Sequence, residues 1–328
     1  MHLARLHRHR AAAQIILVVT ASALLSLMSG ACVPTDEPRQ NNSPDGFVPF
    51  MPDQGQDMPK EDMPDGLDMP TDQGRIDQDM PDSGMPPDMM INPNVCLPNK
   101  DAKITRQEVP LRVGLNAKYR VGLDAPVSTA GEDAGGGKRR WDLSGELNGD
   151  RLVLVEAQNP LGRWFSADFP TATYTTRLSE TSELLGIFEL TDDALLLLGV
   201  ASPTDGFTRT RLTYDPPITV LDFPLEPDKR WTTESSVSGI AQGVAVFYSE
   251  DYSSQVDAQG ELVTPYGTFE QVLRVRVELE RVIGFSTTRK RTFSFVTECF
   301  GTVATIVSED NETAAEFTQA AEVRRLSP

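Results

Sequence analysis

From Leu273 the apolar residues fall on every second position, Leu273, Val275, Val277 and Leu279, with Arg274, Arg276, Glu278 and Glu280 between them. A period of two with one apolar and one charged side predicts a half-buried antiparallel strand. Phe293, Phe295, Thr297 and Cys299 repeat the period with an aromatic face, so Cys299 is expected to point inward. Leu111, Val113, Leu115, Ala117, Tyr119, Val121 and Leu123 alternate without a break, as one long strand or a bent pair. Further strands are read over 141–147, 151–157, 173–178, 184–190, 194–200, 207–214, 232–238, 244–256, 261–263, 268–282, 288–299 and 302–308. Over 314–325 the spacing fits a helix and a closing strand equally.

Turn chemistry separates these runs. Thr264-Pro265-Tyr266-Gly267 suits a type I turn, with Pro second and Gly fourth, and Asp257-Ala258-Gln259-Gly260 suits another. Leu147-Asn148-Gly149-Asp150 predicts a hairpin joining 141–147 to 151–157, because Asn-Gly adopts the positive φ that two-residue hairpin turns need. Asp192-Asp193 marks a further turn. The segment 125–140 is polar and glycine-rich and reads as a mobile loop. Pro216, Pro217, Pro224 and Pro227 predict an irregular crossing, a boundary between sub-sheets over 96–215 and 228–328. Many strands and turns without long helical periods mean an all-β antiparallel fold. Strands longer than the usual five or six or so residues favour an open barrel, a coiled sheet or a sandwich.

Charge divides the 328 residues into three parts. Residues 1–31 carry Arg5, Arg8 and Arg10 and no acid, then an apolar run, then Ser29-Gly30-Ala31 before Cys32. A basic start ahead of an apolar run is an export signal. It resembles a bacterial lipoprotein signal peptide, which implies that Cys32 is lipidated and tethers the chain to a membrane. Ser29 stands where that pattern has Leu, Val or Ile; ordinary signal-peptidase cleavage and an uncleaved anchor remain open, and all three place the rest outside the cytoplasm. Residues 32–95 hold 14 acids against 3 bases, with Asp-Met-Pro at Asp57, Asp62, Asp68 and Asp79. Proline blocks regular structure and the aspartates repel, so this part reads as a disordered acidic tether. Residues 96–328 form the β-rich domain, with 34 acids against 24 bases. Such acidity excludes nucleic acid as a partner, since phosphate binding needs Lys and Arg.

The chemistry is thin. The three histidines are His2, His7 and His9, all inside the export segment. The mature chain then has no imidazole, which removes the usual general base and metal ligand. Nucleophile triads and zinc sites are excluded on the same ground. Gly135-Gly136-Gly137-Lys138 fails as a phosphate loop, because Glu132 and Arg139 occupy required positions. A carboxylate pair suited to glycoside hydrolysis is not singled out among the acids, so no catalytic residue and no cofactor are assigned. Asn99, Asp101 and Glu108 fall on calcium-loop ligand positions, but Leu97 and Ala102 occupy two others that such a loop needs. Cys96 and Cys299 are the thiols left once Cys32 is lipidated and suggest one disulfide, worth on the order of 5 kcal/mol by chain entropy. Arg274, Arg276, Glu278, Glu280 and Arg281 read as cross-strand ion pairs on a wet face, and Arg289-Lys290-Arg291 as a solvated turn. Trp141, Trp164 and Trp231 read as core rather than a sugar platform.

Thr264-Pro265-Tyr266-Gly267-Thr268-Phe269, Val272, Val275, Phe295 and Gly301-Thr302-Val303 together resemble a pattern of uncharacterised bacterial envelope lipoproteins, over about 221–307. Some such domains are similar to lipoprotein carriers whose half-barrel shelters acyl chains, which implies an apolar cavity and brings no catalytic residues. The expectation is a membrane-anchored extracytoplasmic lipoprotein, at the outer membrane or cell surface, with a non-catalytic β-domain for binding an envelope or surface partner. A carrier of an apolar ligand is the alternative, and a carboxylate glycosidase a lesser one.

Overall fold

The computed structural model describes Cys96 and residues 98–328. The export segment, Cys32 and the acidic tether lie outside the described residues. Within them the chain forms fourteen strands and two short 3-10 turns, Arg106–Glu108 and Ser166–Asp168. In order they are β1 (Asn116–Pro126), β2 (Glu132–Gly135), β3 (Lys138–Asp142), β4 (Arg151–Glu156), β5 (Tyr174–Ser179), β6 (Ser182–Leu190) and β7 (Ala194–Ala201). Then come β8 (Arg211–Asp222), β9 (Arg230–Ala241), β10 (Val244–Thr264), β11 (Gly267–Ile283), β12 (Ser286–Thr297), β13 (Gly301–Ser308) and β14 (Gln319–Ser327). Among the described residues no helix is long and apolar enough to cross a membrane.

The fold is all-β, as the alternation predicts. One sheet runs β4-β1-β14-β13-β12-β11-β10-β9-β8-β7-β6-β5. Its ladders are antiparallel, and its two edges meet at a single bridge. Gln158 N donates to Thr175 O at 2.8 Å, and Thr175 N to Gln158 O at 2.9 Å. The sheet is therefore a nearly closed barrel. The hairpin β2–β3 lies off this path, with β3 parallel to β10.

The period of two on β11 sorts the core. Leu273, Val275, Val277 and Leu279 join Tyr214, Val237, Tyr252 and Leu197 in a cluster with members from every strand β5 to β12, which fills the interior. A second cluster packs Trp141, Phe293, Phe295, Phe317 and Val323 where the 127–147 segment covers the wall. A third joins Phe165 and Phe169 to Ile187 and Leu198 of β6 and β7. Each fully buried Leu, Val or Phe contributes about 1.5–3 kcal/mol; on β11 the alternation fixes the inward face, while on β12 Phe293 and Phe295 face the covered outer side of the wall.

Several local expectations give way to long-range contacts. The turn expected at Asp257–Gly260 is absent: β10 continues through it with register shifts at Val256/Ala258 and Gly260/Leu262. The Asp257 carboxylate is held instead by Arg274, with Nε–Oδ1 and Nη2–Oδ2 both at 2.9 Å. Leu147–Asp150 does turn, but joins no hairpin, since β3 pairs with β10 and β4 with β1. Asp150 is claimed by the buried Arg325. The loop expected over 125–140 contains β1's end and the β2–β3 hairpin. The ambiguous tail is strand β14. Arg289–Arg291 belong to β12; the Lys290 side chain is buried and its Nζ meets Asp310 at 2.8 Å.

The proline stretch does not divide the sheet into the two sub-sheets expected over 96–215 and 228–328. β8 runs through Pro216 and Pro217 and pairs with β7 on both sides of them, from Ile218↔Leu197 to Thr213↔Gly199, with a register shift in between. What the prolines remove is the ladder to β9, which stops at Asp215↔Ser236. Proline has no N–H to donate, and side chains of β9 take over. Ser235 Oγ donates to Pro216 O at 2.8 Å, Trp231 Nε1 donates to Thr219 O at 2.9 Å, and Thr233 Oγ1 accepts from Thr219 N at 3.2 Å.

Candidate functional site

Turns at one end of the barrel fix a strap made of the first described residues. Ile104 and Leu225, the latter between β8 and β9, exchange two backbone hydrogen bonds of 2.8 Å. Cys96 is joined to Cys299, with Cα atoms 5.4 Å apart. Cys299 N also donates to Glu108 O at 2.7 Å. Leu115 O then accepts from Ala157 N at 2.8 Å beyond β4. These three anchor points lie around one rim, so residues 96–115 cross the mouth. Ile104 and Val109 point down into the interior cluster. Cys299 is not the inward strand residue that its parity implied; β12 ends at Thr297 and Cys299 sits in the following turn at φ 67°.

The calcium-loop residues serve the strap. Both oxygens of Glu108 are engaged: Oε2 accepts from Thr105 N and Oγ1 at 2.7 and 2.8 Å, and Oε1 from Asn99 Nδ2 at 2.9 Å. That is a reciprocal cap on a helical turn. Asn99 and Asp101 accept from backbone N–H groups two residues on, at 2.9 and 2.8 Å. Among the described residues no group of three or more His, Cys, Asp or Glu is placed to hold a metal.

Beneath the strap, beside the β4–β5 seam, lies a cleft of about 520 Å³. Leu111 and Leu115 of the strap roof it; Tyr119 of β1, Val155 of β4, Tyr174 of β5 and Leu195 of β7 contribute walls, and Phe300 stands at the rim. Among the described residues no Asp, Glu, Lys or Arg lines it. Tyr119 donates its hydroxyl to Thr302 O at 2.8 Å. Burial raises the pKa of Tyr119 and Tyr174 above the ordinary phenol value, so both stay neutral. Thr176 Oγ1 is shielded from solvent and has no hydrogen-bond partner. A buried polar atom without a partner costs free energy, and this one belongs to a residue that lines the cleft.

The charged face of β11 divides in two. Glu280 meets Arg289 at 2.7 Å and Glu278 meets Arg291 at 3.0 Å in a groove across β9–β12, as cross-strand pairs on a wet face. Arg274 is on the same face but buried. It binds Asp257, Glu316 and Thr129 O, and its guanidinium lies 4.3 Å from the centre of the Phe293 ring. Arg281 is on the opposite, interior face, because position 281 continues the parity of 273–279. The three tryptophans belong to separate clusters and form no shared platform.

A polar knot inside the barrel brings β5 to β14. Glu322 is fully buried; Ser179 Oγ donates to its Oε2 at 3.1 Å and Arg324 Nη2 to its Oε1 at 3.3 Å. Burial raises its pKa above the usual 4.5, against the pull of Arg324. A carboxyl that binds its proton more tightly when folded favours the fold most below 4.5, and that contribution is lost as pH rises through the raised value. Glu322→Gln is therefore expected to gain stability over the parent as the pH rises above 4.5. Urea midpoints of the two proteins across that range measure this; curves that stay parallel would contradict it.

The fold and cleft define a nearly closed antiparallel barrel with a strapped, uncharged recess at one end. No protein-family model, no curated protein and no solved structure matches the chain.

Proposed function

We propose that the chain is an extracytoplasmic lipoprotein, tethered to a membrane through Cys32, whose barrel is a non-catalytic binding domain carrying an apolar molecule under its strap. The observation that carries this reading is the uncharged cleft of about 520 Å³, within the range of roughly 300–1,000 Å³ in which small-molecule sites fall. A wall of aliphatic and neutral phenolic side chains offers no compensation for a charged ligand, whose desolvation would go unpaid. Asn116 and Thr302 add the polar groups of the lining, which suit the polar end of an otherwise apolar molecule. The basic-then-apolar leader ending at Cys32 supports the membrane tether.

The full chain purified from its native envelope is expected to yield a stoichiometric apolar compound on solvent extraction and mass spectrometry. Ala117→Trp, which fills the cleft from β1, should reduce that yield about tenfold while thermal unfolding stays cooperative. An empty extract from the parent protein would reject the carrier and leave a domain that binds an envelope or surface partner.

A further inference from the structure

The barrel's second end, opposite the strap, carries a sector without charge. Ser235–Tyr248 spans the end of β9, its turn and the start of β10, and holds no Asp, Glu, Lys or Arg; neither does Val282–Thr288 around the β11–β12 turn. Charged residues make up 24% of the chain, so the gap is local. Phe247 and Phe285 project from this sector, and Phe207 from the adjoining β7–β8 loop, between Asp205 and Arg209. Phe285, at the tip of the β11–β12 turn, is fully exposed, Phe207 is 97% exposed and Phe247 74%. They are neighbours. Gly243 N donates to Arg209 O at 3.0 Å, which lays the Phe207 loop against the β9–β10 turn. The β10–β11 ladder is in register up to Ser249↔Val282, which brings Phe247 beside the turn holding Phe285.

We propose that this end is a lipid-docking surface, with Phe207, Phe247 and Phe285 entering the interfacial zone of a bilayer with neutral headgroups. Three features select lipid. Phe207 and Phe285 stand on a loop and a turn and Phe247 on the outer face of β10 near its start, rather than in a groove, so they suit a soft surface that closes around single rings. Backbone groups beside the tips are already paired, Ala241 with Val244 and Ile283 with Ser286, so insertion leaves few of them unsatisfied. Around Phe247 and Phe285 no charge has to be carried into the low-dielectric zone; beside Phe207 the flanking Asp205 and Arg209 neutralise each other in a pair of 2.9 Å, and aromatic side chains are enriched at membrane–water boundaries. The rest of the same rim bears Asp124, Glu180, Glu309, Asp310 and Glu312, which would repel an anionic surface. The described chain starts at the opposite end, and the 63 residues of 33–95 separate it from Cys32. Extended at about 3.1 Å per residue, that length lets either end of the barrel face the tethering membrane. The proposal does not depend on a ligand in the cleft.

The test places a tryptophan at each tip of the full chain, Phe285→Trp and Phe207→Trp, with Leu161→Trp as a control at an exposed site outside the sector. Each protein is mixed with vesicles of brominated phosphatidylcholine or its unbrominated form, and the tryptophan emission compared. Trp141, Trp164 and Trp231 give the same background in every variant. The tip variants are expected to lose about half of their added emission to bromine, while the control loses less than about a tenth. Replacing a third of the lipid with phosphatidylglycerol should weaken the effect. Equal quenching of tip and control would mean that the leader alone holds the chain on the vesicle, and would overturn the proposal. A tip emission that shifts to the blue with protein concentration but is not quenched would show a second copy covering the patch, and would also overturn it. Extraction of a ligand from the cleft is a separate readout, so either idea can fail without the other.

Discussion

Replacing Arg281 with methionine is expected to remove about 3–5 kcal/mol of folding free energy, the cost of stranding one member of a buried ion pair. Arg281 lies inside the barrel, 3% exposed at its side chain, facing Glu250, which is wholly buried. Its Nε donates to Glu250 Oε1 at 2.6 Å, and Tyr252 donates its hydroxyl to Oε2 at 2.6 Å. The Tyr248 ring lies 5.7 Å below the guanidinium. Burial opposes the charge on Arg281, but Glu250 and the three surrounding tyrosines outweigh it, and the net effect holds its proton more tightly than usual. Tyr252 moves the same way, pushed up first by burial and then by Glu250. Methionine leaves the buried Glu250 carboxylate without its guanidinium partner. The double variant Glu250→Met, Arg281→Met should recover most of the loss, because paired removal leaves no orphaned charge. Urea midpoints of the two single variants and the double variant measure the coupling; a double variant as unstable as the singles would show that the pair is not isolated in this way.

That same pair shows what was legible in the chain and what was not. The alternation at 273–279 places β11 and its inward face correctly, and Arg281 is on that face by parity alone. It was grouped with the charged side because a lone arginine on an apolar face has no visible partner until β10 brings Glu250 opposite it. Arg274 is the reverse case. Its parity is that of the wet side, but the 127–147 segment folds over it, a contact made across 145 residues to Thr129 O. The absent turn at Asp257–Gly260 and the hairpin that Leu147–Asp150 does not close have one cause. Asp257 and Asp150 look like turn residues locally, and each is used by a buried arginine from a distant strand, Arg274 and Arg325. The cleft was visible only as an implication of resemblance. Its roof comes from residues 111 and 115, which the alternation places in a strand but which precede β1 and belong to the strap.

Gly260→Ala is expected to be the most damaging single-carbon change in the barrel. β10 and β3 run parallel here, with Gly260 paired to Arg139. A Cβ at position 260 would stand 1.7 Å from Arg139 O and 2.7 Å from its C and N. Those are backbone atoms, so no side chain can swing away, and β3 must leave the wall. The four pairings from Gly260–Arg139 to Val263–Asp142 go with it. So does Trp141, which is 1% exposed, stacked edge-on to Phe295 at 5.0 Å and bonded through Nε1 to Thr129 O at 2.9 Å. Arg274 then loses the cover that makes its buried pairs strong. The expected loss is about 3–5 kcal/mol, that of deleting a buried tryptophan. Emission should shift to the red as Trp141 meets water. Gly145→Ala is the control, since nothing lies within 4 Å of a Cβ there, and it should stay within about 0.5 kcal/mol of the parent. Adding Trp141→Ala to Gly260→Ala should cost little more, because both changes remove one packing unit and do not add. A Gly260→Ala protein with the stability and emission of the Gly145→Ala control would mean that β3 does not lie against β10 in solution. The same result would leave Arg274 as the exposed cross-strand ion pair that its alternation suggests.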